Sequence, residues 1–327
     1  MDLRNRIMKE ANFWTSRVIL TAAELDLFTH LDDLPLTASQ LARGIGADSR
    51  ATDRLLDALV ALDVLKKEGD LFSLTEGGRL LSSKNPETLL PAVLHFAGLW
   101  EVWGQLTTVV RSGKPARRSG LRELDEAGRK AFIRAMDSAS RDLSLKMAGA
   151  FDGSAFRRLL DIGGASGTYT IAFLRKYPSM SAVLFDLPPV VAIARERIES
   201  EGFTDRVLLV PGDYNKDALP LGCDLALLSA VIHQNSPSQN LDLFKKIHSA
   251  LDPGGVLLIR DFIMDPTRTM PKRGAFFSLN MLVNTPAGDT YTFDEVREGL
   301  EKAGFVDVEL GRGGEQQDDL VTAKKRP

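Results

Sequence analysis

The spacing of hydrophobic positions changes near residue 150 of the chain. Before that point, apolar side chains recur every three or four residues, the pattern of amphipathic helices. After about residue 155 they gather in short runs, separated by helical segments or turn signals: RRLLDIG, AVLFDL, RVLLVPGDY, DLALLSAVIH and GVLLIRDF. Such runs predict an α/β fold with a mostly parallel, doubly wound sheet that is covered on both faces. FVDVEL and DLVTAKK predict a closing pair of strands.

The first 90 residues predict helices followed by a small hairpin. Residues 1–35 have helical spacing and end in LDDLP. Thr37 and Gln40 stand at the spacing of a capping box, and Asp48 or Ser49 can cap the next helix. KKEGD then predicts a turn between two short strands. Helix, turn, helix and hairpin together form the winged-helix pattern.

These patterns divide the chain into three sections. Residues 1–90 form the N-terminal helix and winged-helix-like domain, residues 91–150 form connecting helices, and residues 151–327 form the sheet domain. The first helical segment has more apolar side chains than one buried face can hide, namely Trp14, Val18, Ile19, Leu20 and Phe28. An exposed apolar surface of this kind predicts a protein partner.

Composition and charge are those of a soluble globular protein. Of 327 residues, 44% are hydrophobic and 26% are charged, and the formal net charge is −3. Such a charge attracts neither nucleic acid nor a membrane surface, and no apolar run approaches the ~20 residues that span a bilayer. The charged N-terminus predicts no signal peptide. The single Cys223 favours a cytoplasmic protein without disulfides, and with only four histidines we expect no zinc or other metal.

A winged helix also raises the alternative of a DNA-binding regulator. Residues 1–90 contain 11 Lys and Arg against 14 Asp and Glu. The second helix, ADSRATDRLLDALVALDVL, has two arginines and four aspartates. Because a surface that binds phosphates should be basic, this charge disfavours DNA binding.

Five successive predicted strands end in a polar side chain that can bind a ligand or transfer a proton: Asp161, Asp186, Asp213, His233 and Asp261. Ligands of open α/β sheets bind outside the carboxyl ends of the strands. One such residue would mean little. Five at one edge predict a ligand site.

The loop after the first of these strands, 163-GGASG-167, favours nucleoside binding. Its spacing differs from the G-x-G-x-x-G dinucleotide pattern, and the chain lacks the GK[ST] sequence of a P-loop. Asp186 follows about 20 residues later, where a carboxylate can accept both ribose hydroxyls. Each feature alone is equally typical of a tight turn or a helix cap, so the interpretation depends on the pair.

His233, in the run SAVIHQNS, is open to three interpretations: a packed core residue, a metal ligand or a general base. Few cysteines and histidines accompany it, which argues against a metal. Its neighbours at the strand ends favour the base, since imidazole accepts a proton near neutral pH.

The ordered motifs resemble those of the small-molecule O-methyltransferases that depend on S-adenosylmethionine, the family of plant phenolic and bacterial natural-product enzymes. The motifs are 159-LLDIGGASG-167, 185-FDLP-188, 212-GDY-214, His233 and 251-LDPGGVLLIRDF-262. In the first section, 21-TAAELDLFTHL-31 and 52-TDRLLDALVALDVLKKEGDLFSLTEGG-78 resemble the dimerisation domain of that family. The resemblance covers nearly the whole chain and implies a Rossmann-like, seven-stranded class I methyltransferase fold and a homodimer.

The resemblance also implies roles for individual residues. His233 corresponds to the family's general base and Asp261 to the carboxylate that orients it. S-adenosylmethionine, with S-adenosylhomocysteine as its product, would be held by Asp161, Gly163, Gly164, Gly167, Asp186, Leu187, Asp213, Tyr214 and Ser229. The acceptor pocket would be lined by Trp103, Phe132, Met136, Phe277 and Met281. No metal is required.

The sequence departs from the family pattern at four places. Ala165 replaces a loop glycine, and Gln-Asn follows His233 instead of Asp-Trp. Ser229 replaces a lysine that contacts the cofactor in the plant enzymes, and Thr290 replaces a second carboxylate near the histidine. Two questions follow: whether Asp289 or Tyr291 substitutes for that carboxylate, and whether the chain performs C- or N-methylation, or binds the cofactor without methyl transfer.

Overall fold

The computed structural model describes residues 2–116, 125–311 and 319–327. The chain forms two compact units. The first comprises Met1–Trp100 with Arg134–Ala139, and the second comprises Glu101–Ile133 with Ser140–Pro327. The boundaries at residues 90 and 150 remain predictions.

The N-terminal segment contains short helices and a small sheet of order β1-β3-β2. Its elements are α1 (Leu3–Ala11), α2 (Trp14–Glu24), α3 (Leu27–His30), β1 (Leu36–Thr37), α4 (Ala38–Ile45), α5 (Ser49–Ala61), β2 (Leu65–Glu68), β3 (Leu71–Leu74) and α6 (Glu76–Arg79). The capping box of Thr37 and Gln40 is present, and Asp48, not Ser49, caps α5. These elements confirm the winged-helix prediction.

The single helical segment predicted over residues 1–35 is divided into three helices. Asn12 leaves the helical region, and its side-chain oxygen accepts a hydrogen bond from the amide of Trp14 at 2.9 Å. Asp26 has a left-handed backbone with φ 52°. Both changes separate helices that hydrophobic spacing alone cannot distinguish from one long helix.

Three helices follow: α7 (Leu90–Gly104), α8 (Leu106–Ser112) and α9 (Glu126–Ala150). The remaining elements are β4 (Arg158–Ile162), α10 (Thr168–Lys176), β5 (Ser181–Asp186), α11 (Pro188–Ser200), β6 (Val207–Pro211), β7 (Cys223–Ser229), α12 (Pro237–Ala250), β8 (Leu251–Asp261), β9 (Ile263–Met264), α13 (Lys272–Asn284), β10 (Tyr291–Thr292), α14 (Phe293–Lys302), β11 (Val306–Gly311) and β12 (Asp319–Lys324).

The second unit is built on a seven-stranded sheet of order β11-β12-β8-β7-β4-β5-β6. Strands β4 to β8 are parallel, and β12 is antiparallel to both of its neighbours. Leu160 of β4 packs in a core with side chains of α12 and α14, whereas Leu159 packs in a core with α10 and α11. The sheet is therefore covered on both faces, as predicted, and the carboxyl ends of its parallel strands share one edge.

Candidate functional site

The loop between β4 and α10 depends on left-handed backbone and on close packing. The φ angle is 72° at Gly163, 49° at Ala165 and 81° at Gly167. A Cβ on Gly164 would lie 2.8 Å from the side chain of Leu184, too close for any other residue without movement. Ala165 adopts its conformation despite a cost of about 1–2 kcal/mol for a non-glycine residue.

Asp186, at the end of β5, is bonded to this loop. Its carboxylate accepts hydrogen bonds from the amide of Ala165 at 2.9 Å and from the amide of Leu187 at 2.7 Å. Burial raises the pKa of Asp186 to about 6, although both hydrogen bonds favour the charged form. The predicted ribose-binding acid and the glycine loop therefore lie side by side, with Leu187 next to them at the start of α11.

Asp161, at the end of β4, is buried and 2% exposed. It accepts a hydrogen bond from the hydroxyl of Thr170 at 2.6 Å. Burial raises its pKa to about 6; the hydrogen bond from Thr170 opposes this rise, and the charge of Asp186 adds to it. Two carboxyl groups thus lie near the glycine loop in surroundings that disfavour their charge, which suits a ligand with positive charge and donors.

Asp213 and Tyr214 follow β6 at the same edge. Asp213 is buried, accepts from the amide of Asn215 at 3.0 Å and forms an ion pair with Lys216 at 3.7 Å. Tyr214 is half-buried and packs against the core that includes Phe185. Their contact with the adenine remains a prediction.

Ser229 is the last residue of β7, and its hydroxyl accepts a hydrogen bond from Nε of Arg260 at 2.8 Å. Arg260 is buried in β8, and its guanidinium carbon lies 5.0 Å from the ring centroid of Tyr169. The sequence interpretation did not select Arg260 or Tyr169. The arginine inside the apolar run GVLLIRDF could have indicated them, because a charge buried in a strand is costly unless other groups pair with it.

His233 does not end a strand, which corrects the sequence prediction. Strand β7 ends at Ser229, and His233 lies in a 3₁₀ turn over Ile232–Gln234. The chain leaves the strand at Ala230, whose φ is 57°. The sequence predicted a longer strand because the turn also contains buried apolar residues, Val231 and Ile232, which continue the apolar run.

His233 and Asp261 form a buried pair. Nδ1 of His233 lies 2.9 Å from Oδ2 and 3.0 Å from Oδ1 of Asp261. Oδ1 also accepts a hydrogen bond from the amide of Phe262. The exposed fractions of the histidine and aspartate are 6% and 1%. Because a carboxylate accepts from Nδ1–H, the neutral ring presents Nε2 as its proton acceptor.

Phe277 of α13 packs against the imidazole. Its ring centroid lies 4.8 Å from that of His233, with the two planes nearly perpendicular at 87°. Trp103 donates from its indole nitrogen to Asn280 of the same helix at 3.0 Å. Met281 is buried on α13. Three of the five predicted acceptor residues are thus on α13 or bonded to it.

The other two predicted acceptor residues belong to different units. Phe132 is half-buried on α9 in the second unit, whereas Met136 is half-buried in the first. Their acceptor role remains a prediction.

Thr290 replaces a second family carboxylate near the histidine, and the hydrogen bonds of Asp289 and Tyr291 described here go to groups other than the imidazole. The Asp289 carboxylate accepts from Arg268 at 3.3 Å and from the amide of Thr290 at 2.8 Å. The hydroxyl of Tyr291 donates to a main-chain carbonyl two residues beyond His233. Asp261 is the carboxylate that the structure bonds to the imidazole.

Within residues 2–116, 125–311 and 319–327, no group of three or more His, Cys, Asp or Glu side chains is arranged to hold a metal ion. In the same ranges, no helix has the length and hydrophobicity needed to cross a membrane.

Comparisons with protein families match both parts of the chain. Residues 103–306 match the family described as the O-methyltransferase domain. Residues 9–84 match the O-methyltransferase dimerisation domain. These ranges include the winged-helix segment and the sheet domain up to the start of β11.

Individual relatives agree with the family matches. The tetracenomycin polyketide synthesis 8-O-methyl transferase TcmO of Streptomyces glaucescens is 34% identical over 90% of this chain and 89% of its own. Human N-acetylserotonin methyltransferase, solved in complex with S-adenosylmethionine, superposes with a TM-score of 0.87 at 27% identity, over 100% and 99% of the two chains. N,N-8-amino-8-demethyl-D-riboflavin dimethyltransferase (RosA) of Streptomyces davawensis superposes with a TM-score of 0.84 at 29% identity, also over 100% and 99%.

Proposed function

Because this chain belongs to the O-methyltransferase family, we propose that it methylates a hydroxyl of a small aromatic or polyketide-like acceptor, with His233 as the general base. Membership confirms the resemblance inferred from the sequence and makes the chain an S-adenosylmethionine-dependent methyltransferase. The residues that perform the reaction and the identity of the acceptor are the content of the proposal.

The His233–Asp261 pair carries the proposal. Nε2 of His233 takes the proton of the acceptor hydroxyl, while Asp261 fixes the tautomer and stabilises the imidazolium that forms. General-base assistance of this kind is typically worth about 10²–10⁴-fold in rate. Burial of both groups excludes water from the pair and strengthens their interaction.

The strand edge has residues suited to S-adenosylmethionine, which supplies a methyl group on a sulfonium when bound. Asp186 would accept the ribose hydroxyls, Asp213 and Tyr214 would flank the adenine with Leu187, and Asp161 with the glycines would face the amino-acid end. One observation supports the fit: the two acids Asp161 and Asp186 are buried beside the glycine loop, in surroundings that a cationic ligand would improve. We propose no metal.

An aromatic or polyketide-like acceptor follows from the relatives and from α13. TcmO acts in polyketide synthesis, and the human relative is named for an indole amide. In this chain, Phe277 and Met281 are apolar side chains on the helix that packs against His233. Aromatic and apolar walls suit a flat acceptor whose hydroxyl is aimed at the base.

We also propose a homodimer formed by the N-terminal domain, in the cytoplasm. The dimerisation-domain match covers residues 9–84. Of the apolar side chains predicted for this surface, Trp14 is exposed, whereas Leu20 and Phe28 are buried in the core. The other large apolar side chains exposed on the first two helices and between them are Leu3, Ile7, Met8 and Phe13. Exposed apolar surface of this kind marks an association site.

N-methylation is the second candidate, because RosA, named as a dimethyltransferase of an amino group, has the same fold over the whole chain. An amine acceptor needs positioning more than deprotonation. His233→Ala separates the two: O-methylation should fall by about 10²-fold or more, whereas a reaction that needs only positioning should persist.

Calorimetric titration with S-adenosylmethionine and S-adenosylhomocysteine tests the cofactor site. We expect micromolar binding that Asp186→Ala abolishes, followed by an acceptor screen with the wild type and His233→Ala. A folded wild type that binds neither nucleoside would overturn the assignment of the site.

A further inference from the structure

A polar cluster that takes no part in the proposed proton transfer lies on the α10 face of the sheet. Tyr169 of α10, Ser229 of β7 and Arg260 of β8 form what we call the Tyr169 cluster. Arg260 and Tyr169 are 4% and 7% exposed. The arginine donates to Ser229 at 2.8 Å and stacks over the tyrosine at 5.0 Å. The guanidinium is thereby held in one orientation.

The Tyr169 hydroxyl is buried, and within residues 2–116, 125–311 and 319–327 no atom meets hydrogen-bond geometry with it. The hydroxyls of Ser229 and Ser140 lie near it without meeting hydrogen-bond geometry. Burial raises the pKa of Tyr169, so the group remains a donor at neutral pH. Because an unsatisfied buried hydroxyl costs about 1–3 kcal/mol, its retention points to an acceptor atom that arrives with a ligand.

The cluster lies beside the candidate cofactor loop. Tyr169 is the second residue of α10, which begins directly after Gly167. Ser229 and Arg260 are paired neighbours near the carboxyl ends of β7 and β8. The charges of Arg260 and Asp161 both act on the Tyr169 hydroxyl, with opposite signs. An arginine and a buried acid therefore both lie near the start of α10.

We propose that Arg260 and Tyr169 bind the carboxylate at the amino-acid end of S-adenosylmethionine, an inference that rests on the proposed function. The cofactor has two cationic centres, its sulfonium and its ammonium, and one carboxylate. The guanidinium of Arg260 attracts the carboxylate and repels the sulfonium and the ammonium. The carboxylate of Asp161 attracts the two cationic centres and repels the carboxylate of the cofactor. The N–H donors of a planar guanidinium, with the Tyr169 hydroxyl beside them, match the two oxygens of a carboxylate.

This arrangement also accounts for Ser229. The resemblance places a cofactor-contacting lysine of the plant enzymes at this position. In this chain the cation comes from the neighbouring strand, and the short serine side chain leaves space for the guanidinium and accepts its Nε–H. Arg260 and Tyr169 are therefore specificity residues for the intact cofactor, not participants in proton transfer.

Paired calorimetric titrations test the proposal without any acceptor. S-adenosylhomocysteine has the carboxylate, whereas 5′-methylthioadenosine lacks the amino-acid end and keeps the nucleoside. We expect Arg260→Met to weaken binding of S-adenosylhomocysteine about 10- to 100-fold, the worth of a charge-assisted hydrogen bond, and to change binding of 5′-methylthioadenosine by less than about twofold. The affinity of Arg260→Lys for S-adenosylhomocysteine should lie between those of the wild type and Arg260→Met.

Two further variants keep the test decisive. Tyr169→Phe should weaken the binding of S-adenosylhomocysteine by about fivefold and leave the binding of 5′-methylthioadenosine unchanged. It should not lower the melting temperature, because the hydroxyl makes no well-formed hydrogen bond to the part of the chain that the structure describes. Arg158→Met makes the same charge change at the opposite edge of the sheet and should leave both affinities unchanged. If Arg260→Met does not fold, Arg260→Lys and Tyr169→Phe carry the comparison.

The outcomes separate this inference from the proposed function. If the Arg260 and Tyr169 variants bind both ligands more weakly by the same factor, or bind both as tightly as the wild type, the carboxylate assignment is wrong. The nucleoside site would still stand, because the wild type binds both ligands. A wild type that binds neither ligand would overturn the proposed function itself.

Discussion

The main-chain amide of Asp289 donates to the main-chain carbonyl of His233 at 3.0 Å. This bond joins the loop before β10 to the turn that carries the imidazole. Asp261 holds the ring from β8 through Nδ1. The backbone and the ring of His233 are thus fixed by two different elements, and each can be perturbed separately.

The backbone contact predicts a strong effect at Gly288. A Cβ there would lie 2.5 Å from the carbonyl oxygen of His233, closer than any real contact. We expect Gly288→Ala to displace the turn and lower kcat by about tenfold or more, with a smaller change in KM. Steady-state kinetics measure this. Gly98→Ala in α7 is the control, because an added Cβ there would meet none of the described atoms within 4 Å, and it should leave kcat unchanged. Equal kinetics of the two variants would contradict this account of Gly288.

Ring orientation predicts the effect of Asp261→Asn. An amide can donate to Nδ1, which would move the proton of the neutral ring to Nε2 and remove the acceptor. We expect a loss of about 10²–10⁴-fold in kcat with cofactor affinity retained. Asp289→Asn makes the same change in an acid that bonds Arg268, and its kcat should remain within about twofold. Full activity of Asp261→Asn would exclude His233 as an oriented base.

Asp161 predicts a stability that varies with pH. Burial raises its pKa from 3.8 to about 6 in the fold. The folded state therefore keeps a proton that the unfolded chain has released, and this contribution to stability is lost as pH rises from about 4 to 6. Asp161→Asn should become more stable than the wild type across that window, by on the order of 1–3 kcal/mol above it.

Urea unfolding at about pH 4.5 and 7.5 measures the difference between the two proteins. The exposed Asp205→Asn is the control, with a change within about 0.5 kcal/mol at both pH values. If Asp161→Asn increases the free energy of unfolding by the same amount at both pH values, the buried carboxyl does not titrate as stated.

Adjacent phenylalanines on α13 allow a matched test of the acceptor wall. Phe277 packs against His233 at 4.8 Å, whereas Phe276 is 53% exposed. We expect Phe277→Leu to raise the KM of the acceptor by about 5- to 50-fold, since it removes a ring edge beside the reacting hydroxyl. Phe276→Leu should behave as the wild type. If both variants change KM by the same factor, the change comes from a less stable α13 and not from the contact between Phe277 and the acceptor.

Trp14 predicts the assembly state. Its side chain is 71% exposed in the first unit, and Leu221 is 71% exposed in the second. We expect Trp14→Glu to shift the mass measured by light scattering from dimer toward monomer, because a buried charge in an interface costs several kcal/mol. Leu221→Glu should remain a dimer. An unchanged mass for Trp14→Glu would place the interface elsewhere.

Most of the sheet could be predicted because buried parallel strands have an unambiguous sequence pattern. Each of the five apolar runs contains one parallel strand, and the acids at their ends, such as Asp161 and Asp186, lie at one edge. The edge follows from topology alone, since parallel strands direct their carboxyl ends the same way. Nucleoside chemistry could therefore be inferred before any contact was known.

What could not be predicted depends on contacts between distant segments. The turn at Ala230 moves His233 beyond its strand, although the apolar run continues. The pairing of β7 with β8 brings Arg260 to Ser229, and α10 adds Tyr169. No local spacing encodes such neighbours, and an arginine within an apolar run reveals only that something must hold it.

The position of β12 has a consequence for how the protein is made. β12 lies between β8 and β11, and Asp319 is paired with Asp261. While a ribosome is still adding residues before 319, β8 has an open edge, and the acid that orients His233 is at that edge. Non-local pairing of this kind is slow and leaves an edge that can join another chain. We expect nascent or truncated chains that lack β12 to need chaperones and to aggregate, even though every residue of the His233–Asp261 pair has already been synthesised.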